Sequence, residues 1–402
     1  MITDPTPINH ALESRRIKRL LPTSAGSAAL SSLAPEIRER STFSARTDNP
    51  RYLSDIEFFL TDLTKGKLDP ATVRLRLKQR LDYYGYDPAS KGIIPGSLQD
   101  LSSDNRTNLI IEMQEKFAHG YAQFEADQDP ALLDLWPCWE FVRHESRRKE
   151  RTDWPQRFLA AGGQLYGGRM IARKDSPVWA ALSVFGLPYP PFDYNSGMGL
   201  DDVERAEAEA LGVITKRTVV KPQSRRLNDS VQASLPSFSN PDLQAEVLKA
   251  FGKDIIAAGE TAWLLPAGNA AARSTAIAQQ TAAGTGIMRQ VIDSTEDAYN
   301  ALYVPDIGPV DFRWGDDGKG VRHIIKRRDD YLKSKGDGPT GEQTALRMPE
   351  VIIKGKRIQQ INDRVRIEYD GYIAVLVNRL DGKKVNRWIL TGFDEDKKKG
   401  NR

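Results

Sequence analysis

Through the first 130 residues, apolar side chains recur at spacings of three and four. In YLSDIEFFLTDLTKG, Leu53, Ile56, Phe59, Leu60 and Leu63 fall on one side of a helix, with Ser54 as its expected cap and Gly66 as its stop. DPATVRLRLKQRLDYYG predicts a second helix, because Asp69 precedes Pro70 at the first helical position. A third and longer helix starts near Ser103 or Asp104, and Leu109, Met113, Phe117, Tyr121 and Phe124 form its stripe. Stripes of this kind are expected to be the core of a helix bundle. Residues 1–34 are polar and rich in Ser and Ala, which reads as a flexible arm.

The pattern changes after residue 130. Residues 131–210 hold four of the seven tryptophans, many Gly and Pro, and few clean periods, so a compact, irregular region is expected there. Prolines at 188, 190 and 191 break any helix after Phe185. Residues 213–290 read as a linker with short helices, one in PDLQAEVLKAFG and another in the Ala-, Thr- and Gln-rich stretch 268–286. From Tyr303 the period switches to two. Strands are expected near 351–353, 357–361, 364–369, 372–378 and 384–391, separated by Lys-Gly, Asn-Asp and Asp-Gly turn signals, with a helix around GVRHIIKRRDDYLKS covering one face. The predicted fold is multidomain: a mainly α N-terminal module over 35–212, then a small α+β C-terminal domain over 291–396 built on an antiparallel β-meander, then a basic tail, 397–402.

Length supports this division, because 402 residues exceed one ordinary core. No apolar run approaches the roughly 18–20 residues of a membrane-spanning helix, and the N-terminus lacks the order of a secretory signal, so a cytoplasmic site of assembly and no membrane partner are expected. The single Cys138 excludes an intramolecular disulfide, and His10, His119, His144 and His323 lack metal-ligand spacing; neither a metal nor another cofactor is expected. Charge changes the picture more. Residues 301–402 carry 22 Lys and Arg against 16 Asp and Glu, a net +6, whereas residues 1–300 carry 36 against 38, a net −2. The C-terminal quarter is therefore the part expected to meet a polyanion.

Within that quarter, period two in RVRIEY puts Arg364, Arg366 and Glu368 on one face and Val365, Ile367 and Tyr369 on the buried one. In the last strand Trp388 and Leu390 are the expected core partners, leaving Arg387 and Thr391 with the arginines; Ile389 between them allows the opposite assignment. Such a polar face has the composition that metal-free RNA cleavage requires. Attack of a ribose 2′-hydroxyl on the adjacent phosphate needs a proton acceptor, a proton donor and cations for the charge that develops on phosphorus. His323 is the only histidine of the domain, and an imidazole, ordinarily titrating near about 6.5, suits either proton transfer. Arg364, Arg366, Arg387 and Lys326 are the candidate phosphate clamps, and Thr391 the candidate positioning hydroxyl.

Two resemblances bear on these residues. DIGPVDFRWGDDGKGVRHII, VIIKGK, RVRIEYDGYIAVLVN and NRWILTGFD, within 303–393, resemble the phage-borne branch of the barnase/EndoU/colicin/RelE-like nuclease superfamily. That resemblance implies a small α+β, metal-independent ribonuclease, often a toxin, with a possible immunity protein as partner. It carries over His323 in G-x-x-H-I-I, a basic strand residue (Arg364 or Arg366) and Thr391 in W-I-L-T-G-F. Related nucleases often have Tyr two residues after that Thr. Phe393 stands there, so no step through a phenolic hydroxyl carries over.

The second resemblance covers 35–212. ERSTFSARTDNPRYLSDI, the WPCWEFVRHESRR block and DSPVWAALSVFGLPYPPFDYNSGMGLDDVERAEAEALG are similar to MuF-type phage head morphogenesis proteins, marked by a D-P-x-W…P-P-x-x-x-N ending. It implies a minor capsid component that associates with portal or other capsid proteins, located in the virion and in the host cytoplasm during assembly. Ser-Gly-Met follows the Asn where the family has C-R-C, and His144 stands nearly alone, so metal binding does not carry over. The combined expectation is a phage minor head protein with a ribonuclease effector domain. The alternative is a purely structural head protein whose C-terminal domain only binds nucleic acid or protein.

Overall fold

The computed structural model describes residues 7–236, 240–265, 269–361 and 363–394; the basic tail lies outside these. The chain is multidomain. It divides into a first unit, 1–227 with 245–250, and a second, 228–244 with 251–402.

The helical part of the first unit is built from α1 (Pro7–Ile17), α2 (Pro50–Thr64), α3 (Pro70–Tyr83) and α4 (Asp104–Ala126). Local sequence fixes where each starts. Asn49, rather than Ser54, caps α2 by accepting from the Arg51 and Tyr52 amides, because Pro50 begins the helix five residues earlier than a cap at Ser54 would. Asp69 accepts from the Thr72 amide, and Ser103 from that of Arg106. Leu53, Ile56, Phe59, Leu60, Val73, Leu77 and Ile110 form one core. The reading of 1–34 as a flexible arm is corrected for residues 7–34: α1 packs on α4, and its buried Arg15 donates to Thr64 and pairs with Glu57 and Glu115. Its buried positions are Ala11, Ser14 and Arg15, so no stripe of large apolar side chains marks the helix in the sequence.

The Trp-rich region is more regular than its sequence. Strands β1 (Cys138–Arg143), β2 (Leu165–Tyr166), β3 (Arg169–Arg173) and β4 (Met198–Val203) form an antiparallel sheet in the order β2-β3-β1-β4. Trp139 and Phe141 of β1 meet Trp179, Trp154 and Phe192 edge to face, and Phe158 packs tilted on Trp179.

The second unit begins inside the expected linker. Residues 213–290 are no linker in structure: β5 (Val231–Ser234), β6 (Ile255–Ala258), β7 (Thr261–Leu264) and α5 (Ala270–Ser294) belong to one nine-stranded sheet and its cover. The chain continues through β8 (Ala298–Val304), β9 (Gly308–Phe312), α6 (Val321–Lys335), α7 (Gly341–Lys354), β10 (Lys356–Ile361), β11 (Arg364–Tyr369), β12 (Tyr372–Leu380) and β13 (Lys383–Asp394). Sheet order is β10-β11-β12-β13-β9-β8-β6-β7-β5. The antiparallel meander is β10 to β13, and β13 joins β9 in parallel. The strand expected at 351–353 is instead the last turn of α7, where Val351 and Ile352 continue the helical stripe of Ala345 and Met348. Those side chains, with Met288, Val291, Val321 and Ile324, pack on Val310, Val365, Ile367, Ala374, Leu376 and Ile389.

Candidate active site

The meander has one helix-covered face and one face that carries the predicted chemistry. Pairing across β11, β12 and β13 sets three rows on the second face: Glu368, Ile373 and Phe393; Arg366, Val375 and Thr391; Arg364, Val377 and Trp388. An irregularity at Leu390 decides the membership of the last strand. Thr391 pairs with Val375 but Ile389 with Leu376, so one extra residue separates them and the alternation restarts. The same shift corrects the sequence reading of β13. Ile389 is the core residue, Trp388 shares the face of Thr391, and Arg387, next along the strand from Trp388, projects to the opposite side.

Two ties fix α6 beside the end of β13. At the helix start the Gly320 amide donates to the Leu390 carbonyl at 2.9 Å. Eight residues on, the buried Arg328 pairs with Asp394 at 2.9 Å. Eight helical residues rise about 12 Å, and the four strand residues from 390 to 394 rise about 13 Å, so helix and strand run alongside each other between the ties. His323, one turn in, is thereby level with Thr391. Gly320 has φ 89° and is packed against the backbone of Arg313, Trp314 and Gly315, which leaves no room for a side chain. The turn before it also sets the imidazole. His323 Nδ1 lies 2.6 Å from the Asp317 carbonyl, which only accepts; Nδ1 therefore carries the proton and Nε2 is the nitrogen left for chemistry.

One turn further along the same helix face, the Arg327 guanidinium lies 5.7 Å from the centre of the Phe393 ring, and that of Arg366 also lies 5.7 Å from it. Nε and Nη2 of Arg366 and the hydroxyl of Thr391 are buried, without a hydrogen-bond partner among the described residues. Such groups are normally satisfied, so a cluster of three in neighbouring positions is unusual.

The predicted residues thus separate. Arg366 and Thr391 flank Val375 on one face, and Phe393 is reached by Arg366 and by Arg327, which lies one helical turn from His323. Arg364 is exposed one row away. Lys326 is exposed and pairs with Asp317 at 3.7 Å and Asp330 at 3.6 Å. Arg387 donates to the Ile307 carbonyl on the far side, and burial, with Arg357 nearby, lowers its pKa. Sequence reasoning left out Arg327 and gave Glu368 no role. The signals were there: Arg327 is four residues from His323 on a helix, and Glu368 two from Arg366 on a strand.

Residues 301–399 match the family model described as phage-Barnase-EndoU-ColicinE5/D-RelE like nuclease1. This α+β part of the chain is a nuclease-like domain of that phage family. No curated protein matches the chain, and no solved structure does.

Proposed function

We propose that the C-terminal domain is a metal-independent endoribonuclease that cleaves RNA through a 2′,3′-cyclic phosphate. The observation that carries the proposal is the cluster of buried donors without partners among the described residues, Arg366 Nε and Nη2 and Thr391 Oγ1, together with the half-buried imidazole that α6 holds through Nδ1. A scissile phosphate over Val375 accepts from Arg366 and Thr391, and Arg327 adds a second cation. The 2′-oxygen loses its proton and bonds to phosphorus; the bond to the 5′-oxygen breaks, and that oxygen gains a proton. His323 makes one of these transfers through Nε2, and Glu368, on the same face as Arg366, makes the other. The products are a 2′,3′-cyclic phosphate and a 5′-hydroxyl. Arg364, exposed one row away, extends the contact to the flanking RNA backbone.

We further propose that the first unit is a MuF-type head module that carries this domain into the phage particle. The D-S-P-V-W and P-P-F-D-Y-N segments support that reading, because Trp179 and Phe192 anchor both in the aromatic core. On this reading the partners are portal or other capsid proteins, the location is the virion after assembly in the host cytoplasm, and an immunity protein restrains the nuclease. Incubating the protein with total RNA in EDTA tests the enzymatic part: fragments ending in 2′,3′-cyclic phosphate are expected. Binding of RNA with no cleavage under any condition would leave only the structural alternative.

A further inference from the structure

A cavity of about 420 Å³ in the first unit is lined by three arginines, Arg38, Arg46 and Arg106, and by no Asp or Glu. Its volume falls within the roughly 300–1,000 Å³ of small-molecule sites. The rest of the wall is largely apolar, including Leu30, Leu109, Ile110, Met113 and Phe117. Arg38 is only 6% exposed. Its guanidinium stacks on Phe43 at 5.6 Å and Phe185 at 5.4 Å, and Nη2 donates to the Leu30 carbonyl at 2.9 Å. Arg106 Nη2 donates to Ser44 Oγ at 2.5 Å and to the Ala45 carbonyl at 2.8 Å. Nε of both arginines is buried and has no partner among the described residues.

Taking a cation out of water is expensive unless an anion joins it. Elsewhere in this unit that rule is kept: buried Arg15 has Glu57 and Glu115, and buried Lys174 has Asp127 and Asp202. Arg38 and Arg106 break it together, in one cavity. Burial lowers the pKa of both, and the neighbours that oppose it are tyrosine phenols, Tyr194 for Arg38 and Tyr52 and Tyr194 for Arg106. We infer that this cavity binds an amphiphilic anion, a carboxylate or similar oxyanion on an apolar body, with the head between Arg38 and Arg106 and the body along Leu109, Met113 and Phe117. A slender molecule fits better than a folded partner, because Arg38 lies beneath the surface.

Calorimetric titration of the full chain with decanoate tests this. Decanoate and decyl sulfate are expected to bind one to one, decyltrimethylammonium at least tenfold more weakly, and acetate or inorganic phosphate not at all at the same concentrations. Arg106→Gln, whose amide retains a donor for Ser44, is expected to weaken decanoate at least tenfold while circular dichroism and melting stay near those of the parent. Arg38→Met provides the second reading if it folds. Equal binding of decyltrimethylammonium, decanoate binding unchanged in Arg106→Gln, or binding only of an acidic peptide and of no amphiphile would overturn the assignment.

Discussion

Nε and Nη2 of Arg366 and Oγ1 of Thr391 are buried without a hydrogen-bond partner among the described residues. Leaving a buried polar group unmade costs about 1–3 kcal/mol, so Arg366→Met is expected to raise the melting temperature while abolishing cleavage. A melting temperature that falls would make Arg366 a structural residue. If His323 transfers a proton, His323→Ala should slow cleavage by about 10²–10⁴-fold with RNA affinity nearly intact. Thr391→Val, almost the same shape without the hydroxyl, should slow cleavage with little change in stability; a large drop in melting temperature and unchanged turnover would remove its role. At this scale the sequence was informative where a motif fixed the neighbourhood. G-x-x-H-I-I singled out His323, and the helix expected around it is α6. Arg387 failed the same logic because counting by twos assumes an unbroken strand.

That failure belongs to the bulge at Leu390. Period-two patterning specifies which residues alternate, but one inserted residue inverts every later position, and Trp388, Ile389 and Leu390 are all apolar enough to leave its place unmarked. Deleting Leu390 should therefore leave Thr391 opposite Val375 and Gly392 opposite Ala374, since Ile389 and Thr391 would then alternate as Leu376 and Val375 do. Gly392 is packed against Met348 of α7, where any side chain would collide, so Gly392→Val should destabilise the domain. A Gly392→Val variant with full stability would contradict the register. The helices were more legible, because Asp69 and Ser103 are capping residues in sequence and in structure. Helix α1 was not, since its buried positions, Ala11, Ser14 and Arg15, include no large apolar side chain. Next to it, burial pushes the Lys18 ammonium down to about 8 from an ordinary 10.5, against the opposing pull of Glu57. The unfolded chain then binds more protons than the folded one between these values, so this group's contribution to stability rises with pH across that window. Lys18→Met should be more stable than wild type below pH 8, with the difference shrinking towards pH 10.5. A difference independent of pH would show that the lysine is solvated.

For the whole molecule, the division at residue 227 changes what can be isolated. A domain cut at residue 290 would sever α5 just before Val291 and discard Trp263 and Met288 from the core of the sheet. A fragment of residues 228–402 should fold cooperatively, and 290–402 should not; equal melting of the two would return the boundary to the sequence-based one. The early strands were hidden because IIAA and TAWL are short apolar runs amid Ala-rich sequence, without alternation to distinguish them. If the positive charge of residues 301–402 meets RNA as proposed, affinity should fall with salt at a log–log slope near −0.7 for each phosphate neutralised on a single strand. A flat response would reduce that charge to a solubility feature. The central claim is that the residues around Phe393 cut RNA, and one measurement reaches it most directly: end-group analysis of RNA incubated in EDTA with the wild-type chain and with His323→Ala. The account predicts fragments with 2′,3′-cyclic phosphate ends from the wild type and at least a hundredfold fewer from the variant. Wild-type protein that never cuts RNA, or a variant that cuts undiminished, would contradict it.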